Sequence, residues 1–116
     1  MKENVVREKS MLFAIDIVNF YKELQEKKEF IISKQLLRSG TSIGALVREA
    51  EQAESTKDFI HKLSIALKEA HESEYWLELL YKTNYITKAK FDEKTNKAGE
   101  LIRLLTRIIK TSKLKL

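Results

Sequence analysis

The chain has 116 residues, with 22 Lys plus Arg against 17 Asp plus Glu for a formal net charge of +5, no Cys, no Pro and only three Gly. That length fits one domain, the missing Cys excludes disulfides, thiolate metal sites and cysteine nucleophiles, and the scarcity of Pro and Gly permits long unbroken helices. No apolar run approaches the roughly 20 residues of a membrane helix, and Asp16 and Asn19 interrupt the Met11 to Phe20 stretch where a secretory signal would lie, so no membrane association and a cytoplasmic location are expected.

Val6, Phe13, Ile17, Phe20 and Leu24 recur at helical spacing and predict an amphipathic helix over about 6–27. Ser33 is the expected cap of a second helix over about 33–54, with Leu36, Ile43, Val47 and Ala50 on one face. In that helix Ser39, Gly40, Ser42, Gly44 and Ala45 either weaken a turn or let another helix approach closely. Ser55 with Asp58 three residues on marks the start of a third helix, about 56–82, whose stripe runs Phe59, Leu63, Ala66, Ala70, Ser73, Leu77 and Leu80. Asn84 is the expected left-handed C-cap, and Thr87 the N-cap of a fourth helix over about 88–111 carrying Phe91, Ala98, Leu101, Leu105 and Ile108. Four helices with short joins predict an all-α, antiparallel up-and-down four-helix bundle in a single domain, 1–116.

Chemistry-bearing patterns are sparse. His61 and His71 are the only histidines and lie ten residues apart on one helix, roughly 15 Å, too far to share a metal ion. Asp58 and His61 do not make the repeated Glu-x-x-His of a carboxylate-bridged di-metal bundle. Glu69, Glu72, Glu74 and Glu78 form an acidic cluster best explained as solvated or paired with Lys68 and Lys82. No catalytic residue, metal or cofactor is expected, and so no enzyme.

Binding surfaces are better represented. Gln35, Arg38, Ser42 and Glu49 recur beside the apolar stripe of the second helix, either as a solvated strip or as a polar network with Glu69 and Glu72 of the third. The third helix is apolar over more than one face near Tyr75, Trp76 and Leu79, as expected of core or oligomer-interface residues. After Glu100, the last acidic residue, come Arg103, Arg107, Lys110, Lys113 and Lys115. The first three share one helical face and could contact phosphates, although cations near a helix C-terminus are also favourable in their own right.

The run Gln35-Leu-Leu-Arg38-Ser-Gly-Thr-Ser42-Ile-Gly-Ala-Leu46-Val-Arg-Glu49-Ala, with Asp58-Phe59-Ile, Leu63-Ser-Ile-Ala-Leu-Lys-Glu69-Ala and the Glu74 to Leu79 segment, resembles the bacterial four-helix bundle proteins associated with intervening sequences in 23S ribosomal RNA genes. The resemblance covers nearly the whole chain and implies an antiparallel four-helix bundle, often a homopentameric ring, with no settled biochemical activity. Related proteins serve reverse transcriptases of diversity-generating retroelements as accessory subunits. The family pattern matches at Gln35, Arg38, Ser42, Ile43, Glu49, Phe59, Ala66 and Glu69, and departs at Leu46, where Asn is usual. The expectation is therefore a non-enzymatic, homo-oligomeric binding or scaffold protein, a pentamer by resemblance. The alternative is a salt-dependent, weakly sequence-specific nucleic-acid-binding protein, such as an accessory subunit of a nucleic-acid enzyme. In a ring, the basic patch would be repeated on one surface.

Overall fold

A computed structural model describes the backbone of residues 2–116 and the side chains from Val5 onward. Four helices follow one another: α1 Lys2–Glu26, α2 Ile32–Glu51, α3 Thr56–Lys82 and α4 Lys88–Lys113. Each packs on the next and α1 closes on α4, while the diagonal pairs do not meet, which makes an antiparallel up-and-down four-helix bundle. The molecule measures 47 × 20 × 20 Å, two helices wide in each short direction.

The core follows the 3.6-residue period. Val6, Phe13, Ile17, Phe20 and Leu24 of α1 face Leu36, Ile43 and Val47 of α2, Leu63, Ala66, Leu77 and Leu80 of α3, and Ala98, Leu101 and Leu105 of α4. The small residues of α2 mark a close approach of helices. A Cβ built on Gly40 would lie 3.0 Å from both γ carbons of Ile17, and one on Gly44 would lie 3.4 Å from the Ser10 carbonyl oxygen. On the other side of α2, the Ser39 and Ser73 hydroxyls meet at 2.9 Å in the α2–α3 seam. Each has a carbonyl within reach as well, Leu36 for Ser39 and Glu69 for Ser73, so either hydroxyl can donate to the other while the second donates along its own helix.

The helices depart from expectation in one cap, one core position and two of their ends. Ser33 does not cap α2; it is buried inside the first turn, and its hydroxyl donates to the Glu29 carbonyl at 2.7 Å. The capping group is the buried Glu29 carboxylate, which accepts from the backbone N–H groups of Ile31, Ile32 and Ser33. Burial opposes its ionisation, but those N–H donors outweigh it and hold the carboxyl below its ordinary value. The chain reaches this position through Lys28 at φ 64°, the left-handed residue that ends α1. In α3 the core position is Ile60, while Phe59 is only partly buried. α2 stops at Glu51, before the expected 54, and α4 continues to Lys113. The remaining caps fall as the residue types suggest: Asn84 adopts φ 67°, Ser55 accepts from the Asp58 N–H at 3.0 Å, and Thr87 accepts from the Lys90 N–H at 3.2 Å.

Candidate nucleic-acid interface

Along α4 the basic residues divide into two sets. In the first half every lysine meets a carboxylate: Lys88 reaches Asp92 at 2.8 Å, Lys90 reaches Glu23 at 3.8 Å, and Lys97 reaches Asp16 at 3.5 Å. Lys94 is 3% exposed, chelates Asp16 of α1 at 2.8 and 3.0 Å, and lies 4.9 Å from the centre of the Phe20 ring. In the second half Leu105, Ile108 and Ile109 turn inward. Arg103, Arg107 and Lys110 therefore turn outward, and all three are exposed. The guanidinium of Arg103 lies back over Gly99, 3.4 Å from where a Cβ would stand. Lys113 ends the helix and Lys115 follows it, both exposed. Among the described residues, none of these five cations meets a carboxylate within ion-pair distance.

The polar strip of α2 is only partly assembled. Arg38 binds Glu69 at 3.1 Å and also Glu72, whose carboxylate accepts the Trp76 indole N–H at 2.8 Å. That indole bond, with the Arg38 guanidinium, holds the Glu72 carboxyl below its usual range against the effect of burial. The Arg38 side chain remains 48% exposed, so this is a surface network rather than a buried one. Ser42 bonds only along its own helix, to the Arg38 carbonyl at 2.6 Å. Glu49 pairs instead with Lys62 at 3.2 Å, and Gln35 is exposed. Leu46 is partly buried against the core.

Tyr75 is 56% exposed and meets Trp76 edge to face at 4.9 Å, while Trp76 and Leu79 are partly buried. The most exposed apolar stripe of any helix lies elsewhere, on α1, where Met11, Leu12 and Ile15 are 43, 65 and 50% exposed. Because α1 and α3 are diagonal, these two outer faces point to opposite sides of the bundle. The signal was in the sequence: Met11, Leu12 and Ile15 fall between the core positions of α1 and make it apolar over most of its circumference. Among the described residues, no group of carboxylates and histidines is placed to hold a metal ion, and no helix is long and apolar enough to cross a membrane.

Comparison with curated proteins returns no match. A crystal structure of a protein of unknown function from the S23 ribosomal protein family of Bacteroides thetaiotaomicron is similar, with 61% identity and a TM-score of 0.93 over 95% of this chain and 99% of that one. Residues 2–107 match the family described as 23S rRNA-intervening sequence protein, so Arg103 and Arg107 lie inside the matched span while Lys110, Lys113 and Lys115 lie beyond it. The chain belongs to the 23S rRNA-intervening sequence protein family.

Proposed function

We propose that the protein is a non-catalytic nucleic-acid-binding protein whose contact surface is the outer face of the second half of α4. The observation that carries this reading is the contrast within one helix. The lysines up to Lys97 are used in ion pairs, whereas Arg103, Arg107, Lys110, Lys113 and Lys115 stand in solvent with no carboxylate near them among the described residues. Free cations on a firmly packed helix gain most from a polyanion, because each phosphate they neutralise releases a condensed counterion. The description of the family by 23S rRNA points to the same class of polymer. Few groups able to read base edges accompany these charges, so binding is backbone-directed and weakly sequence-specific. Fluorescence anisotropy across a salt series tests this. The variant carrying Arg103→Gln, Arg107→Gln and Lys110→Gln should bind at least about tenfold more weakly at low salt, and equal binding by this variant removes the site.

A second reading, self-association, is supported by the exposed stripe Met11, Leu12 and Ile15 on α1 and the Tyr75, Trp76 and Leu79 face of α3 on the opposite side. Two unlike faces on opposite sides favour head-to-tail contacts, which close into a ring when the rotation permits. Light scattering should then give a mass about five times the 13.6 kDa of one chain, the pentamer that the family resemblance implies. Leu12→Glu with Ile15→Glu should return the mass to that of one chain without unfolding it. A wild-type protein of single-chain mass at tens of micromolar would discard this reading.

A further inference from the structure

We infer that the nucleic acid taken by α4 is double-stranded. This rests on the proposed function and specifies its ligand. The first support is the rigidity of the row. Arg103, Arg107 and Lys110 stand on successive turns of a helix whose inner side is fixed by Leu105, Ile108 and Ile109, so their Cα atoms span roughly 10 Å along a straight line. A duplex presents phosphates at fixed positions to such a row, with about one negative charge per 1.7 Å of helix axis. A single strand carries a lower charge density and must be ordered before it can follow the same line.

The second support is what surrounds the row. Single strands gain about 1–3 kcal/mol per base by stacking on exposed aromatic side chains. The exposed aromatics among the described residues are Phe30, Tyr75 and Tyr85. Phe30 and Tyr85 lie in the α1–α2 and α3–α4 joins, at the end of the bundle away from the C-terminus of α4, and Tyr75 lies in the second half of α3, which runs beside the first half of α4. Phe59, near the C-terminal end of α4, packs on the core. Arg103, Arg107 and Lys110 therefore have no exposed aromatic side chain beside them, and the partly buried Phe59 shares a cleft with Lys115 alone of the five cations. The outward row of this half of α4 is made of cations with few groups that could read base edges, so the contact is made with the phosphates.

The test uses the full chain and labelled strands of about 20 nucleotides of one mixed sequence, as single-stranded DNA, single-stranded RNA, duplex DNA and duplex RNA, from about 25 to 200 mM salt. Duplexes should bind at least about tenfold more tightly than single strands at the low-salt end, with a steeper dependence of log Kd on log salt. The triple variant Arg103→Gln, Arg107→Gln, Lys110→Gln should flatten the duplex slope by about 2.7, at roughly 0.9 for each phosphate no longer neutralised. The variant Lys22→Gln, Lys34→Gln, Lys68→Gln removes the same charge from exposed positions elsewhere and should leave the slope unchanged. Single strands bound as tightly as duplexes, or more tightly, overturn this inference while leaving the proposed function in place. No saturable binding to any of the four probes overturns both, and equal weakening by the two triple variants dismisses the row as the site.

Discussion

The two halves of α4 solve different physical problems with the same residue types. From Lys88 to Lys97 each cation is held by an acid, and Lys94 with Asp16 ties α4 to α1 across the seam where the bundle closes. Beyond Glu100, itself paired with Lys9 at 2.8 Å, the helix is anchored mainly by apolar side chains, and its cations meet no carboxylate among the described residues. Charges committed to the fold and charges available to a partner thus sit within about 15 Å of each other on one helix. The general lesson is that net charge says little about binding until the paired charges have been subtracted. The same division extends to the rest of the chain, where Glu29 belongs with the committed charges.

The largest expected effect is at the Lys94–Asp16 pair. Asp16→Ala leaves the Lys94 ammonium, on a side chain only 4% exposed, with Glu93 at 3.8 Å as its remaining acid. Removing one partner of a buried pair should destabilise the fold by about 3 kcal/mol, read from the midpoint of urea unfolding at unchanged slope. Replacing both residues by Leu should recover most of that loss, since an apolar pair of similar volume needs no desolvation of charge. A single Asp16→Ala cost under about 0.5 kcal/mol would place this pair with the dispensable surface charges and erase the contrast between the halves.

A smaller effect belongs to Glu29. Glu29→Gln keeps one acceptor for the three N–H groups at the start of α2 but loses the charge, at a cost of about 1–2 kcal/mol near neutral pH. The Glu29 carboxyl is held below its ordinary value in the folded protein by those N–H donors, so its contribution is fully present above the unfolded-state value and is lost as pH falls through the lowered one. Wild type and Glu29→Gln should therefore converge in stability under acid, as measured by urea unfolding from pH 7 downward. A gap that stays constant through that range assigns the effect to packing instead of charge.

How much of this was legible follows residue type more than position. The apolar stripes, the Asn84 and Thr87 caps and the four-helix order come from periodicity and turn chemistry, which act locally and leave a trace in the sequence. Lys94 falls in phase with Ala98, Leu101, Leu105 and Ile108, yet a lysine reads as surface until an acid on another helix is known to meet it. Glu29 lies within the charged run from Glu26, and a hydroxyl such as that of Ser33 is the commoner cap; the chain reversal at Lys28 is what brings the carboxylate over the helix end. Arg38 was traceable to Glu69 and Glu72, whereas Glu49 turned to Lys62 because helix rotation sets it on a different neighbour. The basic C-terminal segment is visible in the sequence as a run without acids, but its lack of ion pairs among the described residues needs the placement of the carboxylates around α4.

The smallest effect on stability should come from the cations beyond Glu100. Arg103, Arg107 and Lys110 each project into water, and Gln is nearly as good a helix former as Lys or Arg, so the exchange removes little packing and little propensity. Lys110 stands in the last turn, where a positive charge opposes the negative end of the helix, and its loss should cost about 0.3–0.5 kcal/mol. Relief of like-charge repulsion in a chain of net charge +5 acts in the other direction. The triple Gln variant should therefore unfold within about 0.5 kcal/mol of wild type while binding nucleic acid much more weakly, the reverse of Asp16→Ala, which should weaken the fold and spare the row of cations. A loss of more than about 1 kcal/mol in the triple variant would mean that these side chains also hold the bundle together, and its weaker binding could then no longer be ascribed to the missing charge alone.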